Sequence, residues 1–240
     1  MRRFFAEPGQ RWGSEIELDE RESHHALHVL RARDGEELTV LDGQGCEHLC
    51  RIKKAAKRSV TVEILSTQRH EPLPYEITLF QAIPKGKIMD WIVQKATELG
   101  ARRIVPILTE RTIVEVDEDS AKVEKWRAIA IESIKQCGSP YLPRIDSPLE
   151  FHEALKKAAG LALVASLHPG AGEIDEFFGR DKRPVQIWVG PEGDFTSEEL
   201  EKLVGAGVQP ITLGPLVLRC DTAAVCSMTL AAHQLRSQDR

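Results

Sequence analysis

The sequence predicts an α/β protein in which a smaller β-rich domain precedes a parallel sheet. From residue 77 onward, short apolar runs alternate with amphipathic helical segments, a pattern typical of parallel strands and their crossover helices. Residues 1–70 show period-two strand patterns instead, for example at 59–64. The stretch 71–76 contains two prolines and no periodicity. We therefore expect a first domain at 1–70, a linker at 71–76 and a second domain at 77–240.

The second domain is predicted to alternate five strands with five helices. Apolar runs place the strands at 77–83, 104–108, 161–167, 185–189 and 211–213. Helical patterns cover 87–99 and 123–134, and a final helix runs from about Asp221 to Leu235. Capping boxes at 147–150 and 196–199 predict where the third and fourth helices begin. Periodicity leaves the strand order open.

The first domain is predicted to contain one short helix and one basic cluster. Ser23 is the predicted N-cap of a helix whose apolar side includes Ala26 and Leu30. The cluster occupies positions 51–58, contains no acid, and consists of Arg51, Lys53, Lys54, Lys57 and Arg58. Such a run attracts phosphates, although the pattern of this run alone favours the solvated end of a hairpin.

Composition and missing motifs exclude several classes of protein. The 240 residues carry a net charge of −5 and are 42% hydrophobic, enough for a sizeable core. No apolar run approaches the roughly 18 residues of a membrane span, and the first residues do not resemble a signal peptide, so we expect a cytoplasmic protein. Nucleotide-binding glycine loops of the G-x-G-x-x-G and P-loop types are missing, as is a G-x-S-x-G elbow.

No metal is expected. His24 and His28 lie one helical turn apart, but the glutamate of an H-E-x-x-H motif and an obvious third ligand are missing. The five cysteines are scattered and form no C-x-x-C pair, which argues against disulfides and structural zinc. Cys46 and Cys50 would share one strand face, and we interpret them as packing residues.

Two glycine-proline loops, at 189–194 and 213–218, each follow an apolar strand. Ligands of parallel α/β sheets bind at the carboxyl ends of the strands, where glycine lets the main chain approach a ligand closely. The loops together predict a pocket built largely from backbone. Arg219 and Asp221 follow the second loop. Either Asp221 or Thr222 caps the last helix, or Arg219 binds a phosphate or carbonyl while Asp221 orients it.

Several motifs, in order along nearly the whole chain, resemble one known family. They are residues 25–31, residues 84–100, Thr109-Glu110-Arg111, Leu167-His168-Pro169, residues 189–193, and the pattern Leu-Gly-Pro-x-Val-Leu-Arg-x-x-Thr-Ala at 213–223. On these motifs the chain resembles the RsmE family, bacterial 16S rRNA uridine-N3 methyltransferases of the SPOUT superfamily. It departs from the family pattern at four positions, Lys135, Ser139, Leu216 and Asp221.

The resemblance implies a PUA-like β-barrel RNA-binding domain followed by a SPOUT-type parallel sheet with a C-terminal trefoil knot. This second domain would bind S-adenosyl-L-methionine and form a homodimer. The cofactor-binding residues implied are Leu167, His168, Gly190, Glu192, Gly193, Leu213, Gly214, Leu218 and Ala223. Main-chain groups of the two loops are suited to reading the adenine edge, while the cofactor supplies the methyl group.

The implied reaction is methylation of N3 of a uridine in 16S rRNA, as free RNA or within the small ribosomal subunit. The N3 proton must leave, so the site needs a base or a cation that stabilises the uracil anion. Arg219 is our first choice for this cation and Arg111 the second, with Asp221 as base or orienting group. The uridine must be unpaired or flipped out. Residues expected to hold RNA phosphates are Arg2, Arg3, Arg31, Arg51, Lys53, Lys54 and Lys57.

Two other functions stay open on the sequence alone. The cofactor loops do not determine the acceptor atom, so another SPOUT reaction such as ribose 2′-O-methylation fits them as well. A non-catalytic RNA-binding assembly factor with the same fold is the second alternative. Reverse transcription separates the two reactions, because only N3 methylation blocks base pairing. Cofactor binding separates an enzyme from an assembly factor.

Overall fold

The structure, a computed structural model, describes residues 2–8, 11–113, 120–168, 170–179 and 184–237. The chain divides into two compact units, of which the first comprises Met1–Pro72 and Ile131–Leu142. The second comprises Leu73–Ala130 and Pro143–Arg240. A short segment from the middle of the chain thus packs with the N-terminal residues. The predicted domain boundaries at residues 70 and 77 stay predictions, since contact density alone does not define a folding domain.

The first unit is built on a small curled sheet of six strands. They are β1 (Arg3–Phe5), β2 (Arg11–Trp12), β3 (Glu15–Glu17), β4 (Glu37–Leu41), β5 (Cys46–Ala55) and β6 (Val60–Arg69), in the spatial order β1-β4-β5-β6-β3-β2. Only β1 and β4 pair in parallel. Alternate side chains such as Ile52 and Val62 point to one face and are fully buried there with Phe4. This period of two confirms the predicted strand at 59–64.

The helical segment of the first unit begins earlier than the sequence predicted. It consists of α1 (Glu20–His24) and a π-helical turn (His25–Val29). Asp19 is the N-cap, because its Oδ1 accepts from the Glu22 amide at 2.7 Å. The prediction of Ser23 as N-cap is therefore wrong. The Ser23 hydroxyl is buried, donates to the Leu18 carbonyl and accepts from the Val60 amide, so it joins the helix to β6 instead.

The second unit contains a parallel sheet of seven strands. They are β7 (Ile77–Ala82), β8 (Arg103–Leu108), β9 (Arg144–Ile145), β10 (Leu149–Glu150), β11 (Leu161–Ala165), β12 (Val185–Val189) and β13 (Gln209–Ile211). The spatial order is β10-β8-β7-β12-β11-β13, with β9 also pairing β8, and every pairing is parallel. This confirms the predicted α/β class. The predicted trefoil knot stays a prediction.

Helices connect these strands. They are α2 (Ile88–Glu98), α3 (Ser120–Cys137), α4 (Phe151–Leu155), α5 (Ser197–Gly205) and α6 (Cys220–Ser237), with a 3₁₀ turn at Ile174–Phe177. The last part of α3 lies in the segment that groups with the first unit. No helix in the described part of the chain is long and apolar enough to cross a bilayer.

One of the two predicted capping boxes is correct. At the start of α5, the Thr196 hydroxyl accepts from the Glu199 amide and the Glu199 carboxylate accepts from the Thr196 amide. The box predicted at 147–150 is wrong, because Leu149 and Glu150 pair with β8 as strand β10 and α4 starts only at Phe151. Pairing with a sheet edge satisfies the same backbone groups that a helix would use, and local sequence does not reveal which edge is available.

The central strands β7 and β12 are buried on both faces. Phe80 and Trp188 lie opposite each other in the register, and their rings stack with centroids 4.1 Å apart. Such burial accounts for the nearly continuous apolar runs from which these strands were predicted. Since all strands of this sheet point the same way, the loops that follow β11, β12 and β13 emerge at a common edge.

A buried ion pair holds the 131–142 segment in the first unit. The Lys135 ammonium lies 2.6 Å from Glu22 Oε1, and the two side chains are only 7% and 3% exposed. Glu132 adds a second carboxylate 3.0 Å from the same ammonium. Burial raises the pKa of Glu22, and the Lys135 charge partly opposes that rise. Lys135 thus serves the packing of this unit.

Replacing Lys135 with Met is expected to lower the free energy of unfolding by about 3–5 kcal/mol at pH 8, since Glu22 is left buried without its cation. A carboxyl whose pKa is higher in the folded than in the unfolded state costs no stability below its unfolded-state pKa, and the cost grows as the pH rises from that value to the folded-state pKa. The loss should therefore shrink as the pH falls towards 5. Urea unfolding of the wild type and the variant at pH 8 and at pH 5 measures this loss of free energy.

The double variant with Lys135→Met and Glu22→Gln is the matched control. It removes both charges, so it should recover most of the lost stability and show little dependence on pH. A Lys135→Met variant that loses the same free energy at pH 5 and pH 8 would contradict this account of the pair.

Candidate functional site

A cleft lies where the loops after β11, β12 and β13 meet. It is open to solvent, and the space of about 550 Å³ between its atoms includes part of that solvent. Its lining residues come from three separate stretches of the second unit: Ala165, Ser166, Leu167, Val189, Gly190, Pro191, Glu192, Asp194, Leu213, Gly214, Leu216, Val217, Leu218, Cys220 and Ala223. The two glycine-proline loops therefore form one pocket, as the sequence predicted.

The first loop is closely packed. A Cβ added at Gly190 would lie 2.7 Å from the Asp194 carboxylate and 2.9 Å from the Phe195 nitrogen, so only glycine fits there. The Glu192 carboxylate accepts from the Lys85 amide at 2.9 Å. The Arg111 guanidinium donates to the Gly193 carbonyl. These contacts hold the loop in one conformation at the end of β12.

The second loop exposes its main chain. Gly214 has φ +110°, a conformation that favours glycine, and its amide donates to the Thr212 hydroxyl at 3.2 Å. Leu216 and Val217 are both strongly exposed at the mouth of the cleft. Leu216 therefore presents an apolar side chain where the family pattern has another residue.

Seven of the nine residues predicted to bind the cofactor line this cleft: Leu167, Gly190, Glu192, Leu213, Gly214, Leu218 and Ala223. His168 and Gly193 lie outside the lining. The His168 ring accepts from the Gly170 amide at 3.1 Å, and the Gly193 carbonyl accepts from Arg111. Sequence reasoning did not single out Asp194 or Cys220, although both adjoin motif residues and line the cleft.

The predicted catalytic residues flank the cleft. Arg219 Nε lies 3.6 Å from Asp221 Oδ1, and the two side chains are 74% and 22% exposed. The same Asp221 oxygen accepts from the Thr222 amide at 2.8 Å, so Asp221 both satisfies a first-turn amide of α6 and faces Arg219. Asp221 lies within the first turn of α6, which begins at Cys220, so the prediction that Asp221 or Thr222 is the N-cap is wrong. The alternative in which Arg219 binds a phosphate or carbonyl stays a prediction. Arg111, the second choice, lies against the first loop.

Burial changes the ionisation of two lining side chains. Desolvation raises the pKa of the Cys220 thiol to about 11, with Glu192 and Asp221 adding to the rise. The thiol is therefore protonated at neutral pH and is not a nucleophile. Burial also raises the pKa of the Asp194 carboxyl, against the Phe195 amide and the Arg111 charge.

The residues predicted to contact RNA all lie in the first unit, and several already have partners there. Arg2 pairs with Glu36 at 3.2 Å, Arg51 with Glu37 at 3.0 Å, and Lys53 with Glu15. The Arg3 guanidinium donates to the carbonyls of Lys135 and Gln136. Arg31, Lys54 and Lys57 are exposed. Of the basic cluster at 51–58, Lys54 and Lys57 thus present charge without a described acidic partner.

One group of residues in the described part of the chain has the composition of a metal site. The ligand atoms of Asp42, Cys46 and His48 lie within 4.8 Å of one another. Asp42 Oδ1 accepts from the Gln44 and Cys46 amides at 2.8 Å, which is ordinary turn chemistry. The His48 ring also lies 2.8 Å from the Thr67 hydroxyl. The predicted absence of a metal stays a prediction.

Comparison with known proteins identifies both units. The family profile of an RNA methyltransferase domain matches residues 71–232, and that of an RNA methyltransferase PUA domain matches residues 18–65. Ribosomal RNA small subunit methyltransferase E of Synechocystis is 32% identical over 232 residues, which are 94% of this chain and 75% of the relative. The protein of the same name from Aquifex aeolicus is 30% identical over 96% of this chain and 98% of its own length.

Solved structures agree with these sequences. A Legionella pneumophila methyltransferase in complex with the cofactor SAM superimposes with a TM-score of 0.88 at 32% identity, over 95% of this chain and 96% of the other. Ribosomal RNA small subunit methyltransferase E from Neisseria gonorrhoeae, bound to S-adenosyl methionine, also gives 0.88, at 30% identity over 97% of each chain. The small curled sheet is thus PUA-like and the parallel sheet is of the SPOUT type. The chain belongs to the ribosomal RNA small subunit methyltransferase E family.

Proposed function

We propose that this protein transfers a methyl group from S-adenosyl-L-methionine to N3 of a uridine in 16S rRNA. One observation carries the proposal: residues predicted from separate motifs line a single cleft at the carboxyl ends of parallel strands. The family membership supports a SAM-dependent rRNA methyltransferase. The choice of N3 rests on the resemblance to uridine-N3 methyltransferases.

The chemistry of the cleft lining suits the cofactor. Open space beside Gly214 leaves its main chain accessible, and apolar side chains such as Leu218 and Ala223 provide surface for an adenine ring. When bound, S-adenosyl-L-methionine supplies an electrophilic methyl group. Two acidic side chains, Glu192 and Asp194, suit a cofactor that carries a sulfonium and an ammonium group.

Arg219 is the residue proposed to stabilise the uracil anion that forms when the N3 proton leaves. Its guanidinium is exposed beside the cleft and always charged, so it is available to a base entering from solvent. Asp221, at 3.6 Å, orients it. Arg111 has a different role, because its donation to Gly193 supports the cofactor loop.

The first unit is proposed to hold the RNA through its phosphates, with Arg31, Lys54 and Lys57 as the most available cations. The substrate is 16S rRNA, free or in the small ribosomal subunit, with the target uridine flipped out of any pairing. We also propose that the protein acts as a homodimer in the cytoplasm, where ribosomal subunits are assembled.

The proposed reaction is tested on small-subunit particles whose rRNA lacks the modification. Incubation with the protein and S-adenosyl-L-methionine should add one methyl group to a uracil base, found by mass spectrometry of nuclease fragments. Reverse transcription should stop at the same nucleotide, since N3 methylation blocks pairing. A methylated ribose with no stop would establish the 2′-O reaction instead. Particles left unmodified by a protein that binds no cofactor would favour an assembly factor.

Arg219→Ala is expected to abolish turnover while the cofactor Kd changes by less than about twofold. The guanidinium acts on the acceptor base and contributes no atom to the cleft lining, so its loss removes transition-state stabilisation worth about 10²–10³ in rate or more. Single-turnover methylation and calorimetry provide the two measurements. The matched control is Arg236→Ala, which replaces an exposed arginine in the last turn of α6, the helix that begins directly after Arg219. Lost cofactor binding with normal residual chemistry would show that Arg219 has another role.

Replacing Lys54 and Lys57 with Ala should weaken RNA binding and reduce the slope of log K against log salt by about 1–2, because each phosphate contact releases counterions. The control variant replaces Arg51 and Lys53, which already pair with Glu37 and Glu15. It should change the slope less. Filter binding between 50 and 300 mM KCl measures both variants. Equal slopes for the wild type and the Lys54/Lys57 variant would mean that this surface does not touch RNA.

A further inference from the structure

The charges in the wall of the cleft all have the same sign. Among its described lining residues, the acidic side chains are Glu192 and Asp194, and no lysine, arginine or histidine is included. The nearby arginines lie outside the lining, Arg111 against the first loop and Arg219 beyond the second. A ligand in this cleft therefore meets negative charge first.

The two carboxylates are held differently. Glu192 Oε1 accepts from the Lys85 amide, so that side chain fastens the loop to the residues after β7. Asp194 Oδ1 accepts only from the next residue along the chain, the Phe195 amide, at 2.8 Å. Its other oxygen has no described hydrogen bond and is not among the deeply buried atoms. Asp194 is thus the lining acid with one carboxylate oxygen that has no described partner.

The backbone of Asp194 is strained. Its φ is +61°, which among the described residues other than glycine only Arg31 also shows, with +52°. Its amide donates to the Pro191 carbonyl at 2.9 Å, which closes the turn around Gly193. A residue other than glycine in this conformation is destabilising, and such residues concentrate at functional sites. Glycine at this position would relieve the strain, so the presence of an aspartate side chain requires an explanation.

We propose that the Asp194 carboxylate makes the cleft select the sulfonium cofactor over its product, S-adenosyl-L-homocysteine. This inference rests on the proposed function, since it concerns the ligand of the same cleft. Cofactor and product share the adenosine and the amino acid ends, and they differ by one methyl group and one positive charge at sulfur. The main-chain groups of the loops do not distinguish them by charge. A fixed carboxylate in a half-buried cleft does, because its attraction for the cation is weakly screened.

Desolvation is consistent with this role. Burial disfavours the charged form of Asp194 and raises its pKa, and the Phe195 amide and the Arg111 charge compensate only in part. A bound cation completes the compensation, whereas the neutral product does not. Methyl transfer removes the positive charge from sulfur, so the carboxylate loses its partner at that moment. Release of the product is favoured as a result, and inhibition by accumulated product is reduced.

The test is calorimetric titration of the full-length protein with S-adenosyl-L-methionine and with S-adenosyl-L-homocysteine. Asp194→Asn keeps an acceptor for the Phe195 amide, and asparagine tolerates positive φ. This variant should bind the cofactor at least about fivefold more weakly and the product within twofold of the wild type, so that the ratio of the two Kd values collapses. Sinefungin, with a protonated amine at the position of the sulfonium methyl, should lose affinity as the cofactor does.

Two further variants keep the result interpretable. Asp175→Asn removes the same charge from an exposed position outside the cleft lining and should leave the ratio unchanged. Asp194→Gly removes the side chain and relieves the strain, so it should fold well and show the same collapse of the ratio as Asp194→Asn.

The outcomes separate this inference from the proposed function. A wild-type protein that binds neither ligand at millimolar concentration would overturn the proposed function. A wild-type protein that binds both, with an unchanged ratio in Asp194→Asn and Asp194→Gly, would overturn the role of Asp194 alone. An equal loss for cofactor and product would do the same, because it would place the carboxylate at the amino acid end that they share.

Discussion

Parallel pairing among β12, β11 and β13 is the constraint on which the candidate site depends. Because these strands run the same way, residues that follow them meet at one edge of the sheet although they are separated in the chain by up to about fifty positions. The stacked rings of Phe80 and Trp188 hold β12 in register with β7. This register sets the position at which the first loop leaves the sheet. Gly190 then allows the loop to fold back on itself.

Charge is divided around this edge in a way that suits a methyl transfer. Carboxylates line the cleft, which suits a cationic cofactor, and Arg219 stands outside it, where we propose that the acceptor base binds.

The stability of the first unit depends on a buried charge as well as on its apolar core. Lys135 reaches Glu22 across 113 positions of sequence and brings the end of α3 into this unit. An apolar pair would avoid the desolvation cost, but an ion pair admits only one arrangement of the two segments. Lys135, which stands where the family pattern has another residue, is here part of the packing of this unit.

Local sequence determined much of what the structure contains. The five main strands of the parallel sheet, the box at Thr196 and the last helix all follow from periodicity and turn chemistry, which depend on neighbours a few residues away. The cleft was predictable as well, because glycine and proline mark loops at strand ends. Only the tertiary structure decided that 149–150 forms a strand, that Ser23 joins a helix to β6, and that Asp194 is among the residues lining the cleft. Each of these features depends on a partner distant in sequence or on the burial around it. Neither a distant partner nor burial produces a periodic pattern in the local sequence.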